Sequence, residues 1–162
     1  MVEVNIKTDQ LELAKVKAKD LGILKHSIMK GERNIIGFLG EILVAEYIKA
    51  SIENTYDYDL IKAGIKIDVK SKRCTSIPRL HYECSVPAYN TRQRCDFYVF
   101  VRILEDYKKA WILGIIGKKS FFNKSVLRKK GFVDTSNNMT FKEDSYNIAI
   151  KDLLDFKKLL GK

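Results

Sequence analysis

Asp68 and Lys70 stand two residues apart in Ile-Lys-Ile-Asp-Val-Lys-Ser-Lys, residues 65 to 72. Ile65, Ile67 and Val69 alternate there with Lys66, Asp68, Lys70 and Lys72. A period of two is that of a half-buried β-strand. The carboxylate and the amine then point the same way, about 6–7 Å apart along the strand. Such a pair on one rigid face can hold a metal ion beside an attacking water. It points to phosphodiester cleavage, provided further acids converge on it.

The first such acid is Asp59. Residues 55 to 62 and 65 to 73 read as a β-hairpin around Ala63-Gly64. A two-residue loop pairs Lys62 with Ile65 and sets Asp59 opposite Asp68. A four-residue loop also leaves Asp59 on that face. A three-residue loop ending in Gly64, a common form, puts it on the other. Ala63 in a left-handed turn position is awkward for the two-residue form. Chemistry favours the shared face. Two facing carboxylates repel unless a cation lies between them, and Mg²⁺ takes oxygen ligands at about 2.1 Å while keeping several waters. The alternatives are that Asp57 replaces Asp59, or that both are solvated acids at a strand edge.

The second is Glu41, inside an apolar helical pattern over residues 32 to 50. Gly37, Glu41, Ala45 and Ile48 share one helix face, and Gly40 adjoins them. Small residues let a helix approach a sheet closely, which would turn Glu41 inward. The alternative is a salt-bridged surface glutamate, as expected for Glu46.

The elements that must position these groups follow from periodicity. A first helix is expected over residues 9 to 21, with Asp9 as N-cap and Gly22 as stop. Strands are expected at 80–86, 96–104 and 109–116, a helix at 118–130, a short strand at 147–150 and a last helix from Asp152 through Leu160. Trp111, Phe141, Tyr146, Ile148, Leu153 and Leu154 read as core. The sum is one α/β domain over residues 1 to 162, a mixed central sheet flanked by helices.

Thirty Lys and Arg against twenty Asp and Glu give a formal charge of +10, which favours a polyanionic partner. Residues 1 to 7 lack the apolar core of a secretory signal, and no run is long enough to span a membrane, so a cytoplasmic protein is expected. Three cysteines with no export signal read as reduced thiols. Cys74, His81, Cys84 and Cys95 could form a zinc set, but no Cys-x-x-Cys pair anchors it; small buried hydrophobes are the expected role for the thiols.

A helical Glu, a hairpin Asp and an Asp-x-Lys on the next strand occur here in Gly-Phe-Leu-Gly-Glu (37–41), Tyr-Asp-Tyr-Asp-Leu-Ile (56–61) and Ile-Asp-Val-Lys-Ser-Lys (67–72), followed by the strand at Asp96. In this order the chain resembles the PD-(D/E)XK nuclease superfamily, in particular its small phage-type members. It departs from the pattern in having no proline before Asp59 and Asp rather than the commoner Glu at position 68.

The resemblance implies a restriction-endonuclease-like fold and a metal-dependent deoxyribonuclease leaving 5′-phosphate and 3′-hydroxyl ends. Asp59, Asp68 and the Val69 carbonyl would hold Mg²⁺ or Mn²⁺, with Glu41 direct or through water. Lys70 would orient the attacking water. The subtype expected is a junction-resolving or repair endonuclease acting as a homodimer; the alternative is a DNA-binding module that keeps the fold without cutting. Residues 86 to 96 are similar to a segment of the small phage-type members. There Arg92 and Arg94 would contact phosphates, Tyr89 would stack on a base, and Asn90 or Gln93 would hydrogen-bond near the site. Lys72, Arg73 and Arg79 follow Lys70 and are further candidates for DNA backbone contacts. Lys118, Lys119, Lys124 and Arg128 to Lys130 could extend the basic surface or simply be solvated.

Overall fold

The computed structural model describes residues 1–22, 30–134 and 139–156. Its centre is a six-stranded mixed sheet. The strands are β1 (Val2–Asn5), β2 (Ser51–Ile52), β3 (Leu60–Lys62), β4 (Ile65–Cys74), β6 (Phe97–Leu104) and β7 (Lys109–Gly117), in the order β1-β7-β6-β4-β3-β2. Only β4 and β6 pair in parallel. A three-stranded antiparallel sheet holds β5 (Glu83–Pro87), β11 (Ser145–Ala149) and β8 (Val126–Arg128) in the order β5-β11-β8. The short strands β9 (Val133–Asp134) and β10 (Met139–Thr140) pair with each other. The helices are α1 (Thr8–Gly22), α2 (Lys30–Ile48) and α3 (Lys118–Lys124).

Because strand side chains alternate, the central sheet has two buried faces. One carries Ile67, Val69, Val99, Val101 and Ile112 against Leu39, Ile42 and Leu43 of α2 and Ala14 of α1. The other carries Tyr98, Phe100, Trp111 and Leu113 against Val86 and Ile148 of the second sheet and Phe121 of α3. The expected mixed α/β architecture is therefore present, and β6 and β7 are the apolar strands anticipated.

Helix α2 lies tight against the sheet at Gly40. A Cβ built there would lie 1.8 Å from Ser71 Oγ and 2.9 Å from Ser71 Cβ. Gly37, grouped with it in the sequence, meets nothing within 4 Å, so only Gly40 is required by packing.

Four expectations are corrected. The helix beginning at Lys118 ends at Lys124, and β8 follows, pairing with β11. The first helix starts at Thr8, and Asp9 lies inside its first turn. Asp152 closes a short 3-10 turn, Ile150–Asp152, instead of capping a helix. Leu154 then bridges Ile115 and is half exposed; the rest of that expected helix, beyond residue 156, lies outside the described residues. Strand β1 has no counterpart in the periodicity reading. It pairs with β7 along Val2 to Asn5, and Trp111 Nε1–H donates to Glu3 Oε2 at 3.2 Å. No helix among the described residues is long and apolar enough to cross a membrane.

Candidate active site

The hairpin is the two-residue form. Lys62 pairs with Ile65 and Leu60 with Ile67. Ala63 (φ 48°) and Gly64 (φ 81°) are both left-handed, the conformation a type I′ turn requires. The Ala63 side chain thus accepts a strained backbone, and the register carries Asp59 to the level of Asp68. Asp59 N–H donates to Ile67 O at 3.0 Å. Its Oδ2 accepts the Val69 N–H at 2.7 Å, so a carboxylate oxygen occupies a strand donor just beyond the β3 ladder. Asp57 is placed elsewhere: its Oδ1 accepts the Arg94 N–H at 3.0 Å, fixing the segment before β6.

Asp68 is 1% exposed. Lys70 Nζ lies 2.6 Å from Asp68 Oδ2, a buried ion pair. Lys70 Nζ also donates to Gln93 Oε1 at 3.2 Å. Gln93 Nε2 donates to Tyr56 O at 3.0 Å, and the Gln93 carbonyl accepts from Lys118 Nζ. Gln93 is therefore a buried strut beneath Lys70 rather than an exposed base contact. Glu41 is turned inward as expected. With the Asn54 amide oriented to satisfy both neighbours, its nitrogen donates to Glu41 Oε2 at 2.7 Å and its carbonyl accepts from Lys17 Nζ at 3.1 Å.

The three acids share one electrostatic environment. Burial first, then the charge of Asp59, pushes Glu41 up from 4.5 to about 8, with Asp68 adding a smaller push. Burial and then Asp68 raise Asp59 to about 6, against the opposing Val69 N–H bond. Burial also raises Asp68, while Lys70 draws it back down. Carboxylates held up by desolvation and by one another are groups a cation would relieve.

Asp59, just before β3, and Asp68, on β4, supply hard carboxylate oxygen donors, and these fit Mg²⁺ or Mn²⁺. Glu41 feels Asp59 more than Asp68. Among the described residues, no three His, Cys, Asp or Glu side chains form a closed metal cage. A centre of two carboxylates plus water and substrate oxygens, with Glu41 outside it, matches these facts. The zinc alternative has less in its favour: burial pushes the Cys84 thiol up to about 12 and Cys95 up to about 11, away from the thiolate that zinc needs.

A cleft of about 830 Å³ opens beside the acids rather than over them. Val69, Lys70, Lys72, Arg73, Tyr89 and Asn90 are among its lining residues, whereas Glu41, Asp59 and Asp68 are not. Four of the expected DNA contacts thus share one groove with Lys70. Arg79, Arg92 and Arg94 are exposed but do not line it. Arg94 pairs with Asp57 at 3.9 Å. Much of the Arg128–Lys130 run is engaged internally: Arg128 binds Glu83 at 2.8 Å and Lys129 binds Asp144 at 2.9 Å. Asp96 is structural: its Oδ2 accepts the Lys66 N–H at 2.8 Å and its own N–H donates to Lys66 O at 2.8 Å, which fixes the start of the β4–β6 pair.

Sequence reasoning missed Lys17, Asn54 and the inward role of Lys118, because these arrive from α1, the β2–β3 loop and the start of α3. Their spacing in the chain carries no signal of that meeting. The chain matches no protein-family model and no curated protein sequence.

Proposed function

We propose that the protein is a metal-dependent deoxyribonuclease of the PD-(D/E)XK type with a restriction-endonuclease-like fold. The observation that carries this reading is the register that brings Asp59 level with Asp68 and its Lys70 ion pair, with burial raising both carboxylates and Glu41 close enough to feel their charge. Asp59 and Asp68 would hold Mg²⁺ or Mn²⁺, with the Val69 carbonyl as a further oxygen donor and Glu41 acting through water. When bound, the metal supplies Lewis acidity toward the phosphate oxygens.

The chain's own residues do the rest. Lys70 presents an ammonium at the developing negative charge and donates a hydrogen bond to the attacking water. Gln93, itself tied to Tyr56 O and Lys118, fixes where that ammonium sits. Lys72 and Arg73 contact backbone phosphates along the groove, and Tyr89 offers a stacking surface. The formal charge of +10 draws the polyanion to this surface. Within this reading the preferred subtype is a junction-resolving or repair endonuclease acting as a homodimer in the cytoplasm.

The test is a panel of single-stranded, duplex, nicked, flap and four-way-junction DNA with Mg²⁺ and with Mn²⁺, using Asp68→Ala as control. Cleavage of at least one substrate by the parent and none by the variant is the expected outcome. A second reading, a DNA-binding module that does not cut, draws on the absence of a closed three-ligand cage among the described residues. Binding of duplex DNA with every substrate left intact under both metals would select it.

A further inference from the structure

Arg102 lies within Phe97–Leu104, an otherwise apolar strand, and is 8% exposed. Parallel pairing sets it directly across from Lys72, as Phe100 is set across from Lys70. Arg102 and Lys72 therefore project from the face that carries Asp68 and Lys70. A buried guanidinium calls for an anion or a full set of acceptors. Here its Nη2 donates to Glu83 O at 2.6 Å, a neutral partner that uses one of its donors. The Glu83 carboxylate is engaged with Arg128 instead.

Among the described residues, Arg102 has no carboxylate within ion-pair distance. Lys72 is more open to solvent, and Asp134 is the acid that attracts it. Both cations line the cleft that also contains Lys70, Tyr89 and Asn90. Along β4, Lys72 lies about 6.6 Å beyond Lys70. Successive phosphates of a strand are offset around the helix as well as by the rise of about 3.4 Å, so this spacing suits neighbouring phosphates.

We propose that Arg102, on the cleft floor, and Lys72, at its rim, form an anion subsite for a phosphate group of a DNA strand adjacent to the phosphate held at Asp68 and Lys70. This deepens the DNA reading above and rests on it. The chemistry is shared by an internal phosphodiester and a terminal phosphate, and the test separates them.

Binding is measured by fluorescence anisotropy without divalent metal, so that nothing is cut. The probes are single-stranded and duplex oligonucleotides with a single neutral methylphosphonate moved along one strand, each made with a 5′-phosphate and with a 5′-hydroxyl. The parent protein should lose on the order of ten-fold in affinity when one particular phosphate is neutralised. In Arg102→Gln and in Lys72→Gln that penalty should disappear. A sensitive internal position identifies a phosphodiester, and sensitivity to removal of the 5′-phosphate alone identifies a terminal group.

If Arg102→Gln does not melt cooperatively, Lys72→Gln decides alone. The same penalty in the parent and in the folded variants would overturn the subsite, as would no sensitive position or no DNA binding at all. Cleavage without the penalty removes the subsite and leaves the nuclease; the penalty without cleavage does the reverse.

Discussion

The two faces of β4 are built from the same ten residues and obey different rules. Ile67, Val69 and Ser71 face α2, where apolar atoms and one glycine, Gly40, close the gap tightly. Asp68 and Lys70 face the other way, and the strand's level with Asp59 brings a second carboxylate to them. The first face is satisfied as it stands, apart from Ser71 Oγ, which is buried without a partner. The second is not: Asp59 is held beside Asp68, both carboxylates are desolvated, and both are raised above their ordinary range. Stability is concentrated on the first, and the second keeps groups whose charge repulsion a bound cation would offset.

The comparison breaks most visibly in activity. Lys70→Met should lower DNA cleavage by at least about 10²-fold in a protein that still melts cooperatively, though at a lower temperature because Asp68 loses its buried partner, read by metal-started cleavage kinetics beside a thermal melt. Retained cleavage would show that the second face does no chemistry.

The next effect is on pH dependence. In the metal-free protein Glu41 keeps a proton to about pH 8 that the unfolded chain releases near 4.5. The folded state then binds more protons between those limits, so this stabilisation is complete below pH 4.5 and is lost as pH rises to 8. Asp59 acts in the same direction between 3.8 and about 6. Glu41→Gln should flatten the profile and stabilise the metal-free protein at pH 8 by up to a few kcal/mol, leaving pH 4.5 nearly unchanged. Denaturant melts at both pH values measure this, and a parent stability that rises from pH 5 to 8 would contradict it.

On the packed face, Gly40→Ala drives a methyl into Ser71 and should cost about 1–3 kcal/mol. Adding Ser71→Gly should recover most of that loss in a thermal melt. The smallest effect is at the turn. Ala63→Gly relieves a left-handed alanine and should raise stability by about 0.5 kcal/mol or slightly more. A loss of stability there would argue against the two-residue register.

Much of the packed face was legible because strand alternation and helix periodicity are local signals. So were Asp68 and Lys70, which a period of two puts on one side. Asp59 was legible only up to the loop, since turn length decides its face and Ala63 argued against the form that occurs. The second sheet was partly hidden. Val126 to Arg128 lies in a basic stretch that reads as helix, and its pairing with Ser145 to Asn147 is a long-range event. Arg102 was overlooked inside an apolar run, because one charge does not disturb the average of eight residues.

The most direct test of the central claim, that the second face of β4 is a cation site, is the melting temperature with and without about 10 mM Mn²⁺ at pH 5 and pH 8, for the parent and Asp68→Ala. Bound metal competes with the protons on Asp59 and Glu41. The parent should gain several degrees at pH 8 and much less at pH 5, and Asp68→Ala should gain none. A parent unaffected by Mn²⁺ at both pH values, or a variant stabilised as much as the parent, would contradict it.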